Sequence, residues 1–230
     1  MKTGSTRLPF RAIIFDLDNT LVELVDAKRH ACGVVTRFIG LEDNGELFEY
    51  FRRSVHHFES HEHMRDYLAD HGLIGGDLFL RCTHIHDEAK LDHVHAYDGV
   101  PETLADLRER GFRLAVVTDA YMEGARARLE RTGLLYYVDQ LVTTEMTGRK
   151  KPDPSPFLLA LELLKVLPEE TIIVGDSLRR EIAPGNQLGI VTAHAMYGDR
   201  NLGSADGATP DYVLSDIREI ITIVDSDRLS

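Results

Sequence analysis

Tryptophan is absent from this chain, and cysteine occurs only as Cys32 and Cys82. Two thiols in unrelated contexts, with no C-x-x-C pair, leave no basis for a disulfide framework, a zinc knuckle or a thioredoxin-like redox site. They fit a reducing cytosol, so a cytoplasmic location is expected. Long apolar runs are missing as well. None approaches the roughly 20 residues that span a bilayer, and the polar stretch Met1–Arg11 lacks the apolar segment of a signal peptide. Positive charge is scarce: 26 Lys and Arg stand against 38 Asp and Glu, a net charge of −12. That balance argues against nucleic acid as a partner, because a phosphate backbone is bound by Lys and Arg that displace counterions. No membrane partner is expected either. An acidic chain can still take an anionic substrate where a metal or a local lysine inverts the field.

What is present is an ordinary apolar content, 43% of 230 residues, enough for a sizeable core. Arg11–Phe15 is a short apolar run that stops abruptly at Asp16, the mark of a buried parallel strand. Similar runs recur at Leu114–Thr118, Gln140–Thr143, Thr171–Gly175 and Gly189–Ala193, with Tyr212–Leu214 as a sixth. Helical patterns lie between them. Pro101–Glu109 opens with proline in its first turn, Met122–Arg131 stops at Gly133, and Ser155–Leu164 places Phe157, Leu158, Leu161 and Leu164 toward a core. Alternating strand and helix predict an α/β fold with a doubly wound, mostly parallel sheet. From Val22 to Tyr97 this rhythm breaks into helix-like stretches such as Asp26–Phe38, Glu46–Phe58 and Asp77–Lys90. The expected organisation is an α/β core from 1–21 and 98–230, with a small all-helical domain, 22–97, inserted after the first strand. Asp225–Ser230 are expected to fray.

Ligands of such sheets gather at the carboxyl ends of the strands. There the sequence offers Asp16-Leu17-Asp18-Asn19-Thr20, Thr118-Asp119, Lys150-Lys151-Pro152 and Gly175-Asp176-Ser177. Each element alone has a plain structural explanation, such as a turn-capping Asp or a solvated Lys. Together they bring carboxylates, a hydroxyl and an ammonium to one rim, an inventory suited to phosphate. Two carboxylates converging in D-x-D repel each other unless a cation joins them.

FDLDNTL at Phe15–Leu21, VVTDA at Val116–Ala120, KKPDPSPF at Lys150–Phe157 and VGDSLRREI at Val174–Ile182 resemble, in this order, the haloacid dehalogenase superfamily. The likeness is to its phosphatases with a helical cap after the first strand, and it extends from Ile13 to about Tyr197. It implies a Mg²⁺-dependent phosphatase acting on a small phosphorylated metabolite, such as a sugar phosphate, phosphoglycolate, glyceraldehyde phosphate or a nucleotide. On this resemblance Asp16 is the nucleophile that becomes an aspartyl-phosphate. Asp18 is the general acid and then the base, and its main-chain carbonyl also reaches the metal. Thr118 and Lys151 hold phosphate oxygens. Asp16, Asp18 and Asp176 hold Mg²⁺. Where the family commonly has a further Asp, this chain has Glu181, which is either a water-mediated contributor to the metal or an ordinary early-helix acid. Arg179 and Arg180 read as surface residues, and Asp119 as a turn residue. A phosphomutase of the same fold would use the same acid and metal. A haloacid dehalogenase would not need Asp18, and a non-catalytic metal-binding protein would not need the whole set.

Nine of the eleven histidines fall between His56 and His95. In a helix, residues two apart face away from each other. The pairs His61-x-His63, His84-x-His86 and His93-x-His95 therefore read as a solvated surface in preference to metal ligands, with contact to substrate a further option.

Overall fold

Ala12-Ile13-Ile14-Phe15 forms β1 (Ala12–Phe15), and all four residues are buried, as a strand covered on both faces requires. The computed structural model describes residues 9–53, 55–200 and 208–228. Five further strands follow: β2 (Arg113–Val117), β3 (Gln140–Val142), β4 (Thr171–Gly175), β5 (Val191–Ala195) and β6 (Tyr212–Leu214). They form one sheet in the order β3-β2-β1-β4-β5-β6, parallel throughout. Phe15 lies opposite Val116 on one side and Val174 on the other. The residues that follow β1, β2 and β4 therefore emerge along one edge. The strand order reverses between β1 and β4, which opens a crevice at that edge.

The fifth strand lies two residues later than the sequence suggests. Gly189, at φ 72°, ends the preceding helix, and the Ile190 N–H bonds back to Gly185 O at 3.0 Å. Extended chain starts only after this turn is closed.

The chain divides into two compact units: Leu24–Val94, and the described parts of Met1–Glu23 with His95–Ser230. The inserted unit consists of α1 (Leu24–Phe38), α2 (Glu46–Arg52), α3 (Glu62–Asp70) and α4 (Leu78–His93). It has its own core, which includes Val35, Leu47, Phe51, Met64, Tyr67 and Cys82. The helix anticipated over Glu46–Phe58 stops at Arg52, because Arg53 turns extended and stacks its guanidinium 3.3 Å from the Tyr50 ring centroid. Past Phe51 the next apolar residue is Val55, exposed at 70%, so no buried face continues the helix.

The sheet unit carries α5 (Val100–Glu109), α6 (Met122–Arg131), α7 (Thr144–Thr147), α8 (Ser155–Leu164), α9 (Ala183–Leu188) and α10 (Glu219–Arg228). Helix α8 packs Phe157, Ala160, Leu161 and Leu164 against Ile14, Val117, Val142 and Ile173. Leu158, expected on the same face, is half exposed, one position off that stripe. Helix α10 runs on through Arg228, past the point where fraying is expected; residues 229–230 lie outside the described set.

The chain leaves and re-enters the sheet unit along a short antiparallel ribbon. Val22 bridges Ala96, the Glu23 N–H donates to His95 O at 3.0 Å, and the Tyr97 N–H donates to Leu21 O at 3.1 Å. Among the described residues no helix is long and apolar enough to cross a membrane.

Candidate active site

Asp16 follows β1 directly, and its side chain is only 4% exposed. The loop after it is drawn into a tight turn: Asn19 takes a left-handed φ of 64°, and its N–H donates to Val22 O at 2.7 Å. Asparagine tolerates that conformation better than most residues. The turn returns Thr20 to Asp16, where its hydroxyl donates to Oδ2 at 3.2 Å. The other carboxylate oxygen, Oδ1, accepts from the Lys151 ammonium. Asp16 is thus fixed through both oxygens.

Lys151 arrives from the loop ahead of α8. Its backbone N–H donates to Asp119 Oδ1 at 2.9 Å, and the Asp119 carbonyl accepts from the Thr144 hydroxyl at 2.9 Å. Asp119 therefore ties the loops after β2 and β3 together. The Lys151 Nζ donates to Val117 O at 3.1 Å and lies 2.7 Å from Glu181 Oε1, an ion pair without hydrogen-bond alignment. Burial works against the charge on this amine, but Asp16 and Glu181 outweigh it and raise its pKa above the ordinary lysine value. The Thr118 hydroxyl accepts from the Ala120 N–H at 3.1 Å, which leaves its own proton to be donated elsewhere.

Beyond β4, Asp176 and Glu181 belong to a segment that makes one wide π-type turn, Leu178–Ile182, before α9. This turn brings the Glu181 side chain back beneath the strand end, where Oε2 accepts the Ser177 N–H at 3.0 Å. A Cβ at position 175 would sit 2.2 Å from Glu181 Cγ, so only glycine leaves room for that path.

Asp16, Asp176 and Glu181 each offer one oxygen within 4.8 Å of the others, and all three residues are buried. Burial, then the Asp16 charge, raises both Asp176 and Glu181 above the usual carboxylate range. Lys151 and Arg180 offset this only in part. Three buried carboxylates against two cations form a donor set that a hard divalent ion fits, since it prefers oxygen ligands and reduces their repulsion. The Asp18 side chain is outside this set.

Two residues here were not expected at the site, and a third was expected at the surface. Arg128, buried on α6, holds Asp18 Oδ1 at 2.7 Å and donates to Gly124 O at 3.1 Å. Arg180, expected at the surface beside Arg179, instead turns inward to Asp176 Oδ1 at 3.0 Å, drawn by the buried carboxylates; Arg179 is exposed. His194 on β5 reaches the Asp176 carbonyl and Asp199 Oδ2 from Nε2, each at 3.1 Å, and steadies the loop that carries Asp176. A positional signal was available in the sequence, since His194 directly follows the run Gly189–Ala193; in the sheet it pairs with Gly175.

A family model, the haloacid dehalogenase-like hydrolases, matches residues 10–189. A glyceraldehyde 3-phosphate phosphatase of Methanopyrus kandleri is 30% identical over 93% of this chain and 97% of its own. A phosphoglycolate phosphatase of Aquifex aeolicus is 29% identical over 94% and 97%. Among solved structures, magnesium-bound YfnB of Bacillus subtilis superposes with a TM-score of 0.77 at 19% identity, over 95% of this chain and all of that one.

Proposed function

The chain belongs to the haloacid dehalogenase-like hydrolases, and from that premise we propose that it is a Mg²⁺-dependent phosphatase of small phosphorylated metabolites. The observation that carries this reading is the pairing of the Lys151 ammonium with Asp16, a member of a buried three-carboxylate cluster. It supports the reading because a nucleophile, a cation for the phosphoryl oxygens and a place for a metal would then lie within one side chain's reach.

In this reading an Asp16 oxygen attacks phosphorus and the bond to the leaving alcohol breaks. Asp18 gives its proton to that alcohol. In the second step Asp18 takes a proton from the water that attacks the aspartyl-phosphate, which returns Asp16 and releases inorganic phosphate. Arg128 fixes the orientation of Asp18. Lys151 moves part of its bonding from Asp16 to the phosphoryl oxygens, and the Thr118 proton adds a second donor there. Asp16, Asp176 and the Asp18 main-chain carbonyl would hold Mg²⁺, with Glu181 contributing through a water. When bound, the ion neutralises charge on nucleophile and phosphate. The helical insertion is assigned the selection of small substrates. Two relatives named for phosphates of two- and three-carbon acids or aldehydes favour that size.

The test is phosphate release across a metabolite panel that includes glyceraldehyde 3-phosphate and phosphoglycolate, with and without Mg²⁺, beside Asp16→Asn. Turnover that EDTA and the substitution both abolish is expected, without any requirement for a sugar bisphosphate activator. Equal activity in the substituted protein would remove Asp16 from its role, and dependence on a bisphosphate would mark a phosphomutase.

A further inference from the structure

The histidine-rich stretch is left without a role in this chemistry, and its geometry is not the one its sequence spacing suggests. Helix α4 separates His84 from His86: His84 is exposed and pairs with Glu88 at 3.2 Å, whereas the His86 side chain is 1% exposed. The fold instead brings His61, from the turn ahead of α3, to His86 and its neighbour Asp87. Asp87 Oδ1 lies 3.0 Å from His61 Nε2 and 3.0 Å from His86 Nδ1. One donor atom from each of the three lies within 4.8 Å of the others. The His86 ring stacks on Phe51 at 5.2 Å between centroids, and His61 meets it edge-on at 5.8 Å, so packing already holds both rings. His86 Nε2 is buried with no hydrogen-bond partner.

We propose that His61, His86 and Asp87 form a site for a transition-metal ion, Zn²⁺ by preference, inside the inserted helical unit. Two imidazole nitrogens and one carboxylate oxygen are the ligand types of a three-residue zinc site whose fourth position holds water. Zinc bonds of about 2.0–2.2 Å in a tetrahedron put neighbouring donors about 3.3 Å apart. The two edges at Asp87 are 3.0 Å and the third is within 4.8 Å, so the three donors are close enough to converge on one ion that replaces the shared protons. Mg²⁺ demands oxygen ligands and does not suit this set. The oxygen-only cluster around Asp176 and this nitrogen-rich one therefore take different ions. Without metal, the same oxygen is hydrogen-bonded to both rings and forms an ion pair with Lys90, whose Nζ is 3.4 Å away. The Lys90 ammonium competes for the place a cation would use.

The experiment is a Co²⁺ titration of the full chain in excess Mg²⁺, which keeps the carboxylate cluster occupied, read by visible d–d absorption and repeated with Zn²⁺ as competitor. About one Co²⁺ per chain should bind with the strong absorption of a four-coordinate ion, and Zn²⁺ should displace it. His61→Gln should weaken binding at least about tenfold. Lys90→Gln should tighten it, and exposed His84→Gln should leave it unchanged. Phosphatase activity in Mg²⁺ should be the same in all four proteins. No absorption band in the wild-type chain would overturn the proposal. So would wild-type affinity in His61→Gln, or an equal loss in His84→Gln, which would indicate scattered surface binding.

Discussion

Replacing Lys151 with methionine should expose how heavily the site relies on one ammonium. The Lys151 side chain is 1% exposed and touches both Asp16 and Glu181, themselves 4% and 0% exposed. Methionine keeps the length of the stem but removes the charge. Asp16, Asp176 and Glu181 would then face each other with Arg180 as the remaining cation close to Asp176. Removing one partner of a buried ion pair costs about 3–5 kcal/mol, because the other charge stays buried. That loss should appear in the urea midpoint at pH 8 in EDTA. It should be smaller near pH 5. Asp176 and Glu181 already titrate above the usual carboxylate range. Between that range and their raised values the native state holds more protons than the unfolded chain, so stability falls as pH rises. Without the ammonium this fall should steepen. Millimolar Mg²⁺ should restore more stability to the variant than to the wild type, since binding to the native state alone stabilises it. Turnover should fall by about a hundred- to a thousandfold, the usual cost of one charge-stabilising donor. A variant as stable as wild type at pH 8 in EDTA would refute the idea that Lys151 compensates the cluster.

Arg128→Met should lower kcat by about ten- to a hundredfold with little change in KM, because Asp18 loses the partner that orients it while the phosphate donors stay in place. His86 should make stability pH-dependent: burial pushes its pKa down to about 4 from an ordinary 6.5. The unfolded chain therefore takes up the proton first, and about 3 kcal/mol should be lost as pH falls from 6.5 to 4. Urea midpoints at pH 7 and 4.5 in EDTA, compared with His86→Leu, isolate that contribution. In Gly198→Ala, the new Cβ would lie 1.6 Å from the Asn19 carbonyl oxygen. Thermal unfolding should show a loss of about 1–3 kcal/mol, with reduced turnover because Asn19 lies between Asp18 and Thr20.

Strands β1, β2 and β4 were readable because buried parallel strands are continuous apolar runs, and each is followed by a residue with chemistry to offer. Helices Met122–Arg131 and Ser155–Leu164 begin and end at the residues the sequence suggests. What failed to show were the cross-element contacts that no motif marks, those of Arg128, Arg180 and His194. Arg128 sits in a helix rich in arginine, and nothing in its spacing separates it from solvent-facing Arg126. Arg180 turns inward because the wide turn at Leu178–Ile182 rotates the chain there, and such a turn has no clear sequence signature. The same limit governs the histidines. Adjacent pairs are visible in sequence, but the trio that meets is drawn from a loop and a helix 25 residues apart, and only the fold selects it.

The paired segments at Leu21–Glu23 and His95–Tyr97 have a consequence for how such a chain can change. Its two crossings lie side by side, so the sheet experiences the 71 intervening residues as a single attachment. A shorter or unrelated segment spliced between Glu23 and His95 would leave every strand register intact. Yet Val22 bridges both Ala96 and Asp18. The attachment of the insertion therefore lies a single bridged residue away from the proposed proton donor.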